Sequence, residues 1–388
     1  MTTFIFLVIE FLDELVFSVA NAAWPLIRTD LTLNYLQIGL ILSLPGFLAN
    51  FLEPFIGVLG DVWKRRVLIL GGGIFFAIAL GLTAASYSFI PLLLSFILIN
   101  PSSGAFVSLS QATLMDFDLS RHEQNMARWT FVGSLGVFIG PLVLSGALAL
   151  AFGWRAAFLL LAVLTILVLF AAWKYIPADR RHYSDIPSFT VVREGFRNAF
   201  SALRRGDVLR WIVLIEFSDL MLDVLYGFLA LYFVDVGGLS ATQAALAVAV
   251  WTGVGLLGDF LLIPLLERVR GLDYLRISVV LELLLFPTFL LAQDVWIKLV
   301  LLGLMGFFNA GWYAILQGNL YKSMPGQSGT VIALGNVAGL FGKLLPFGIG
   351  LAAHAWGLQW AIWLLLAGPL VLLVGLPLKR PYHPEARV

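Results

Sequence analysis

The chain has 388 residues, 60% hydrophobic and only 12% charged, with a mean hydropathy of +0.95 and a net charge of +1. A soluble domain carries roughly a quarter of its residues as charges, so this composition excludes a water-soluble globule and makes lipid the solvent. The lack of cysteine excludes disulfides and thiolate metal sites; four scattered histidines (His122, His182, His354 and His383) form no ligand cluster, and no basic stripe suits nucleic acid.

Apolar stretches of about 20 residues, the length at which a helix crosses a bilayer, recur along the whole chain. In chain order they predict spans at 4–27, 36–58, 67–87, 90–115, 127–150 and 154–176, then at 209–234, 241–265, 273–293, 296–320, 328–352 and 356–378. The first stretch is interrupted by Glu10, Asp13 and Glu14 and is followed by no small-residue cleavage site. It therefore reads as a retained span rather than a signal peptide. Connections are short except at 177–208, a polar, Arg-rich segment with Pro177 and Pro187. The expected organisation is a six-helix bundle over 1–176, a linker over 177–208, a second six-helix bundle over 209–378 and a tail over 379–388. With both termini on one side, all Lys and Arg except Arg28, Arg155, Lys298 and Lys343 fall on that side. The positive-inside rule makes that side cytoplasmic.

Ionisable groups inside the spans are costly and mark function. Nine acids (Glu10, Asp13, Glu14, Glu53, Glu216, Asp219, Asp223, Asp259 and Glu282) stand there against one base, Lys343. Glu216, Asp219 and Asp223 recur at i, i+3 and i+7, within an arc of about 60° on a regular helix, and Glu10, Asp13 and Glu14 cover about 100°. Neighbouring carboxyls in low dielectric titrate as a coupled set able to hold a proton or a cation, and Lys343 is their natural counter-ion. Asn21, Gln111, Asn309, Gln317 and Asn336 are candidate polar lining, and Trp312 and Tyr313 candidate stacking surfaces for a cationic or aromatic solute.

The halves repeat each other at a constant offset of 206 residues. Glu10-Phe11-Leu12-Asp13 matches Glu216-Phe217-Ser218-Asp219, Gln37 falls on Gln243, Asp61 on Glu267 and Lys64 on Arg270. Gln111 falls on Gln317, Gly133 and Gly136 on Gly339 and Gly342, and Trp154 on Trp360. Both halves have the same orientation, which makes them parallel repeats about an axis along the membrane normal.

The loop Gly57-Val58-Leu59-Gly60-Asp61-Val62-Trp63-Lys64-Arg65-Arg66 resembles the loop 2–3 signature of the major facilitator superfamily, with Val62 and Lys64 in place of its Arg and Gly. Gly133-Ser134-Leu135-Gly136-Val137-Phe138-Ile139-Gly140-Pro141 is similar to the fifth-span motif of that superfamily's proton-coupled exporters, and Gly153-Trp154-Arg155 is also commonplace there. Asp13-Glu14, Leu36-Gln37-Ile38-Gly39-Leu40 and Arg121-His122 resemble the fosmidomycin-resistance-type branch, whereas Asn100 stands where drug exporters commonly carry a fourth-span Arg. The resemblance implies a twelve-helix, two-bundle fold that alternates access to a midplane site. It also implies a latch in which Asp61 faces the start of span eleven and Lys64, Arg65 and Arg66 meet Asp116 or Asp118.

The function expected from these residues is secondary transport, not enzymatic catalysis and without a cofactor. The favoured form is proton-coupled export of a small cationic or zwitterionic amphiphile by a monomer in a bacterial inner membrane, its partners being that solute, protons and lipid. Uptake symport, lipid or lysolipid flipping, and a non-transporting receptor or scaffold are the alternatives.

Overall fold

The computed structural model of the chain describes residues 2–62, 64–117, 122–176, 204–266, 268–324, 334–335 and 338–377. The expected linker (apart from its last residues), the tail and Asn336 lie outside the described residues.

Helix α1 (Thr2–Asp30) leads through a short turn to α2 (Tyr35–Val62), followed by α3 (Arg65–Ala85). Next, α4 (Phe89–Ser103) passes through a π-helical turn (Gly104–Ser108) into α5 (Leu109–Phe117), and α6 (His122–Ala149) and α7 (Trp154–Tyr175) follow. After the linker, α8 (Gly206–Ser218) runs through a second π turn (Leu220–Val224) into α9 (Leu225–Asp235). Then come α10 (Ala241–Leu266), α11 (Gly271–Leu291), α12 (Val295–Asn309) and α13 (Trp312–Ser323). The chain ends on α14 (Leu345–Trp356), α15 (Leu358–Ala361), a 3-10 turn (Ile362–Leu366) and α16 (Ala367–Gly375). No strand occurs among the described residues.

Among the described residues, ten helices are long and apolar enough to cross a membrane. Twelve spans were expected. The two outside the ten are α1 and the α8–α9 rod, each carrying three of the intramembrane acids. Apolar side chains such as Leu159, Val163, Ile166 and Phe170 of α7 point outward, a surface that only lipid can cover at this extent.

The first half is built on α1 against α6 and α3 against α7 and α4, the second on α10 against α12 and α11 against α12. Between the halves, α2 packs on α14, α6 on α10 and α1 on α9. We call the end of the bundle bearing Lys64, Arg65, Arg268 and Arg270 the basic face; several bonds join the helices at the opposite rim. There Arg28 pairs with Asp235 at 2.7 Å, Tyr35 donates to the same carboxylate, and the Ser43 hydroxyl accepts from the Phe347 N–H at 2.8 Å. A Cβ on Gly39 would stand 3.1 Å from the Gly350 Cα, so two glycines bring α2 and α14 backbone to backbone. Arg155 pairs with Asp30 and donates to the Ser86 carbonyl at 2.8 Å, while the Trp154 indole N–H reaches Asp30 at 3.1 Å. The Gly-Trp-Arg triplet thereby ties α7 to α1 and to the turn after α3.

The 206-residue offset has structural counterparts. Asn34 and Gln37 exchange side-chain and backbone hydrogen bonds at 3.0 and 2.9 Å before α2, and Ser240 and Gln243 do so at 3.0 and 3.3 Å before α10. These reciprocal caps satisfy the free N–H groups that open each helix. The π turn at Gly104 and the helix break at Ala310-Gly311 also fall at corresponding positions.

Candidate functional site

The glycines of α6 decide how closely it approaches the acidic side of α1. A Cβ on Gly136 would stand 2.6 Å from the Phe11 carbonyl oxygen and 2.9 Å from the Glu14 Cβ; one on Gly140 would stand 2.5 Å from the Ser18 Cβ. One on Gly133 would meet the Glu10 Oε1 at 2.7 Å. Removing three side chains from one stripe lets α1 seat its polar face against α6. Pro141 continues within that helix and is buried.

Glu10 and Asp13 are buried at 8% exposure each, and Glu14 is half-buried. Asp13 lies beside Ser103 and Glu53, Glu10 beside Trp129, and Glu14 faces Asp223 across the junction between the halves. Glu53 packs against Gly104, where a Cβ would meet its Cγ at 3.0 Å. In the second half Glu216 lies against Gly342, a position any side chain would contest, and Asp219 is half-buried. One oxygen each of Asp13 and Glu216 is buried without a hydrogen-bond partner among the described residues.

Lys343 enters this group from a turn just before α14. Its Nζ is 3.8 Å from the Asp223 Oδ2, and the two side chains keep 45% and 68% of their exposure. Asp219, Glu216 and Glu53 are also within its electrostatic reach. A lysine and an aspartate in mid-bundle that stay this exposed line a water-filled space rather than a packed core. Gly46 of α2 makes room for the lysine stem, since a Cβ there would stand 3.1 Å from the Lys343 Cδ. Gly46 was not anticipated; it is one of four glycines in α2, and nothing in the sequence sets it apart.

The roof of this space is Tyr226. Its hydroxyl is 2.6 Å from the Ser18 Oγ, which also donates to the Val137 carbonyl at 2.6 Å, and Asn21 lies beside it. The ring tilts against Trp251 at 5.5 Å. Ser18 and Tyr226 were not anticipated either, because a serine and a tyrosine in an apolar span carry no charge signal. Tyr313, 52% exposed, faces Asp219, Asp223 and Glu216, and Gln317 lies one turn further along α13, half-buried like Gln111.

Two expected lining residues are placed elsewhere. Trp312 is fully buried with its indole N–H on the Ser278 Oγ at 2.8 Å, and Asn309 is 4% exposed and turned toward Glu282 of α11. Asp259, one of the nine acids, accepts the Gly311 N–H at 3.1 Å. In the expected latch, Gly57, Asp118 and the side chains of Asp61 and Asp116 lie outside what the structure describes. Lys64 is exposed, Arg65 is buried at 9%, and Arg66 donates to the Trp173 carbonyl at the end of α7.

No group of three or more His, Cys, Asp or Glu side chains suited to a metal ion occurs among the described residues. The arrangement gathers carboxyls from α2 and the α8–α9 rod around one ammonium, with Glu14 of α1 facing Asp223, in a space that takes water.

Comparison with known proteins places this geometry. The Major Facilitator Superfamily profile matches residues 6–345. The fosmidomycin resistance protein of Escherichia coli (strain K12) is 24% identical over 348 residues, which is 89% of this chain and 83% of that protein. The hexuronate transporter of Bacillus subtilis (strain 168) is 28% identical over 171 residues, covering 42% and 39% of the two chains. Among solved structures, an inward-facing, unoccupied bacterial homologue of the human lysosomal transporter Spinster superposes with a TM-score of 0.76 at 16% identity, covering 97% and 95% of the chains. The nucleoside transporter NupG gives 0.75 at 14% identity, covering 97% and 98%. These structural likenesses concern the fold. With the profile spanning most of the chain, a multi-pass helical membrane protein built around a buried acidic cavity, this chain belongs to the major facilitator superfamily, a family of transporters and not of enzymes.

Proposed function

We propose that the chain is a twelve-span, proton-coupled exporter of a small cationic or zwitterionic amphiphile, working by alternating access as a monomer. Its termini face the cytoplasm of a bacterial inner membrane, and the helices before and after the linker are its two moving halves. The single observation carrying this reading is the exposed Asp223–Lys343 pair at 3.8 Å within a set of carboxyls. An ammonium that only half-neutralises its neighbours leaves acids free to hold either protons or a cationic solute, and one ligand then displaces the other.

The pattern of contacts supports a conformation open toward the basic face. Ser18–Tyr226, Arg28–Asp235, Tyr35–Asp235 and Ser43–Phe347 join the halves on the other side of the cavity. Solute entering from the cytoplasm would reach the exposed Asp223 and Tyr313 deep in the cavity. Export also agrees with the likeness to the fosmidomycin resistance protein of E. coli.

Reconstitution into proteoliposomes tests the reading. Lumenal pH is followed while cationic and zwitterionic compounds are added to wild type and Asp219→Asn. A compound that moves protons through the wild type and not the variant supports proton-coupled exchange and names its solute class. Solute crossing both proteins without proton movement sinks the coupling and favours facilitated diffusion or lipid flipping.

A further inference from the structure

A second set of polar groups lies outside the central cavity, where α12 breaks before α13. Gly311 takes a left-handed conformation (φ 71°), and its N–H goes to Asp259 of α10. The Tyr274 hydroxyl of α11 lies 3.4 Å from the Phe308 carbonyl and 3.2 Å from that of Ala310, and Ser278 takes the Trp312 indole. The break is thus held open by three fitted contacts from two neighbouring helices. One turn beyond Ser278 stands Glu282, 0% exposed, with neither carboxyl oxygen bonded. Beside it is Asn309, the last residue before the break, 4% exposed, its amide also unpaired and off hydrogen-bonding geometry.

A carboxyl stripped of water and of any basic partner must carry its own counter-cation. Among the described residues, no charge from the packed elements supplies it. Lys298 of α12 is spent on the Tyr232 hydroxyl and the Phe289 carbonyl at 2.7 and 2.8 Å. On α11 itself Arg276 pairs with Asp273 at 2.9 Å, two turns away toward the basic face. On α13, Tyr313 faces the central acids, and Tyr321 and Lys322 lie exposed at the far end. The 3-10 turn and α16, also packed on α11, bear no ionisable side chain, and α9 brings Tyr232, which the lysine already engages. An interrupted membrane helix also leaves backbone carbonyls unused, the kind of place where transporters hold a small ion.

We propose that Glu282 and Asn309 form a second ion-handling site, in which the carboxyl takes up and releases a proton, or Na⁺ in its place, at the α12–α13 break. It is separate from the Asp223–Lys343 cavity and does not depend on that cavity being the coupling site.

Carbodiimide labelling of the purified whole protein tests this without any transport readout. The protonated carboxyl adds its O–H across one N=C bond of dicyclohexylcarbodiimide, and the O-acylisourea rearranges to a stable N-acylurea that mass spectrometry locates. The expected result is an adduct on Glu282 whose yield falls about tenfold per pH unit above its midpoint, or is suppressed by Na⁺ and not by choline. The first response identifies the proton as the sole ligand, the second Na⁺ as its competitor. Asn309→Leu should move the midpoint by about one pH unit or more, and Asp219→Asn should leave it in place. An adduct indifferent to pH and Na⁺, or no adduct at all, overturns the proposal and makes Glu282 a fixed neutral packing group. Thermal unfolding is a check free of reagent access. The difference in melting temperature between wild type and Glu282→Gln should change with pH or Na⁺, and a constant difference overturns the proposal equally.

Discussion

Substituting Gly136 by alanine probes how the fold serves the site. The added methyl would stand 2.6 Å from the Phe11 carbonyl and 3.0 Å from the Leu15 nitrogen. Both are backbone atoms of a helix interior and cannot rotate aside. To reach the 3.4 Å of ordinary contact, α6 must withdraw from α1 by about 0.8 Å over at least a turn. Overpacking of this kind costs about 1–3 kcal/mol. The same withdrawal displaces Glu10 and Glu14 relative to the second half, so transport should fall along with stability. Two sibling variants calibrate the result. Gly133→Ala meets the far end of the Glu10 side chain at 2.7 Å and the Glu14 Cγ at an ordinary 3.4 Å, and Gly146→Ala has nothing within 4 Å. Thermal unfolding in detergent should therefore rank Gly146→Ala nearest wild type, Gly133→Ala next and Gly136→Ala least stable. Equal stability of Gly136→Ala and Gly146→Ala would refute the claim that this stripe sets the α1–α6 distance.

Lys343→Met removes the one ammonium among Asp223, Asp219, Glu216 and Glu53; solute-driven proton movement should drop at least about tenfold, with Lys343→Arg recovering part of it. Asp235→Asn weakens the rim by loosening Arg28 and Tyr35 together, a half-exposed arrangement worth about 0.5–1 kcal/mol. A single cysteine replacing Leu42, in a chain that has none of its own, should then react about two to five times faster with a membrane-impermeant thiol reagent added on the rim side. Gly311→Ala combines a positive φ with a clash against Leu262, so it should destabilise by about 2 kcal/mol or more in thermal unfolding. An Ala variant as stable as wild type would mean that the break relaxes freely.

What the sequence disclosed, and what it hid, follows from helix phase. Helix α1 is regular from Thr2 to Asp30, so its spacing placed Glu10, Asp13 and Glu14 toward one side, and the Gly133, Gly136 and Gly140 spacing placed the packing stripe. In the region of Trp312 the same arithmetic failed. It treated 296–320 as one continuous helix, but the turn at Ala310-Gly311 resets the rotation and sends Trp312 toward Ser278 instead of the cavity. Nothing but the glycine signals that break in advance. The arc calculated for Glu216, Asp219 and Asp223 was also altered, because the Val224 N–H bonds to the Asp219 carbonyl five residues back and a π turn advances each residue less than an α turn does. Asp223 nevertheless reaches Lys343, whose position on a turn before Leu345 no periodicity could supply. The acids that marked the site also keep α1 out of the ten apolar helices, since every membrane-length stretch of it holds at least three charged residues.

The central claim is that the acidic cavity couples solute movement to protons. It is tested most directly by separating exchange from accumulation in proteoliposomes with the Asp219→Asn protein. With a solute identified in the wild type, the account predicts that the variant still exchanges labelled for unlabelled solute at equal concentrations, yet no longer accumulates it against a gradient when a pH difference is imposed. Proton-driven accumulation that survives in Asp219→Asn would contradict it and move the coupling away from this cavity.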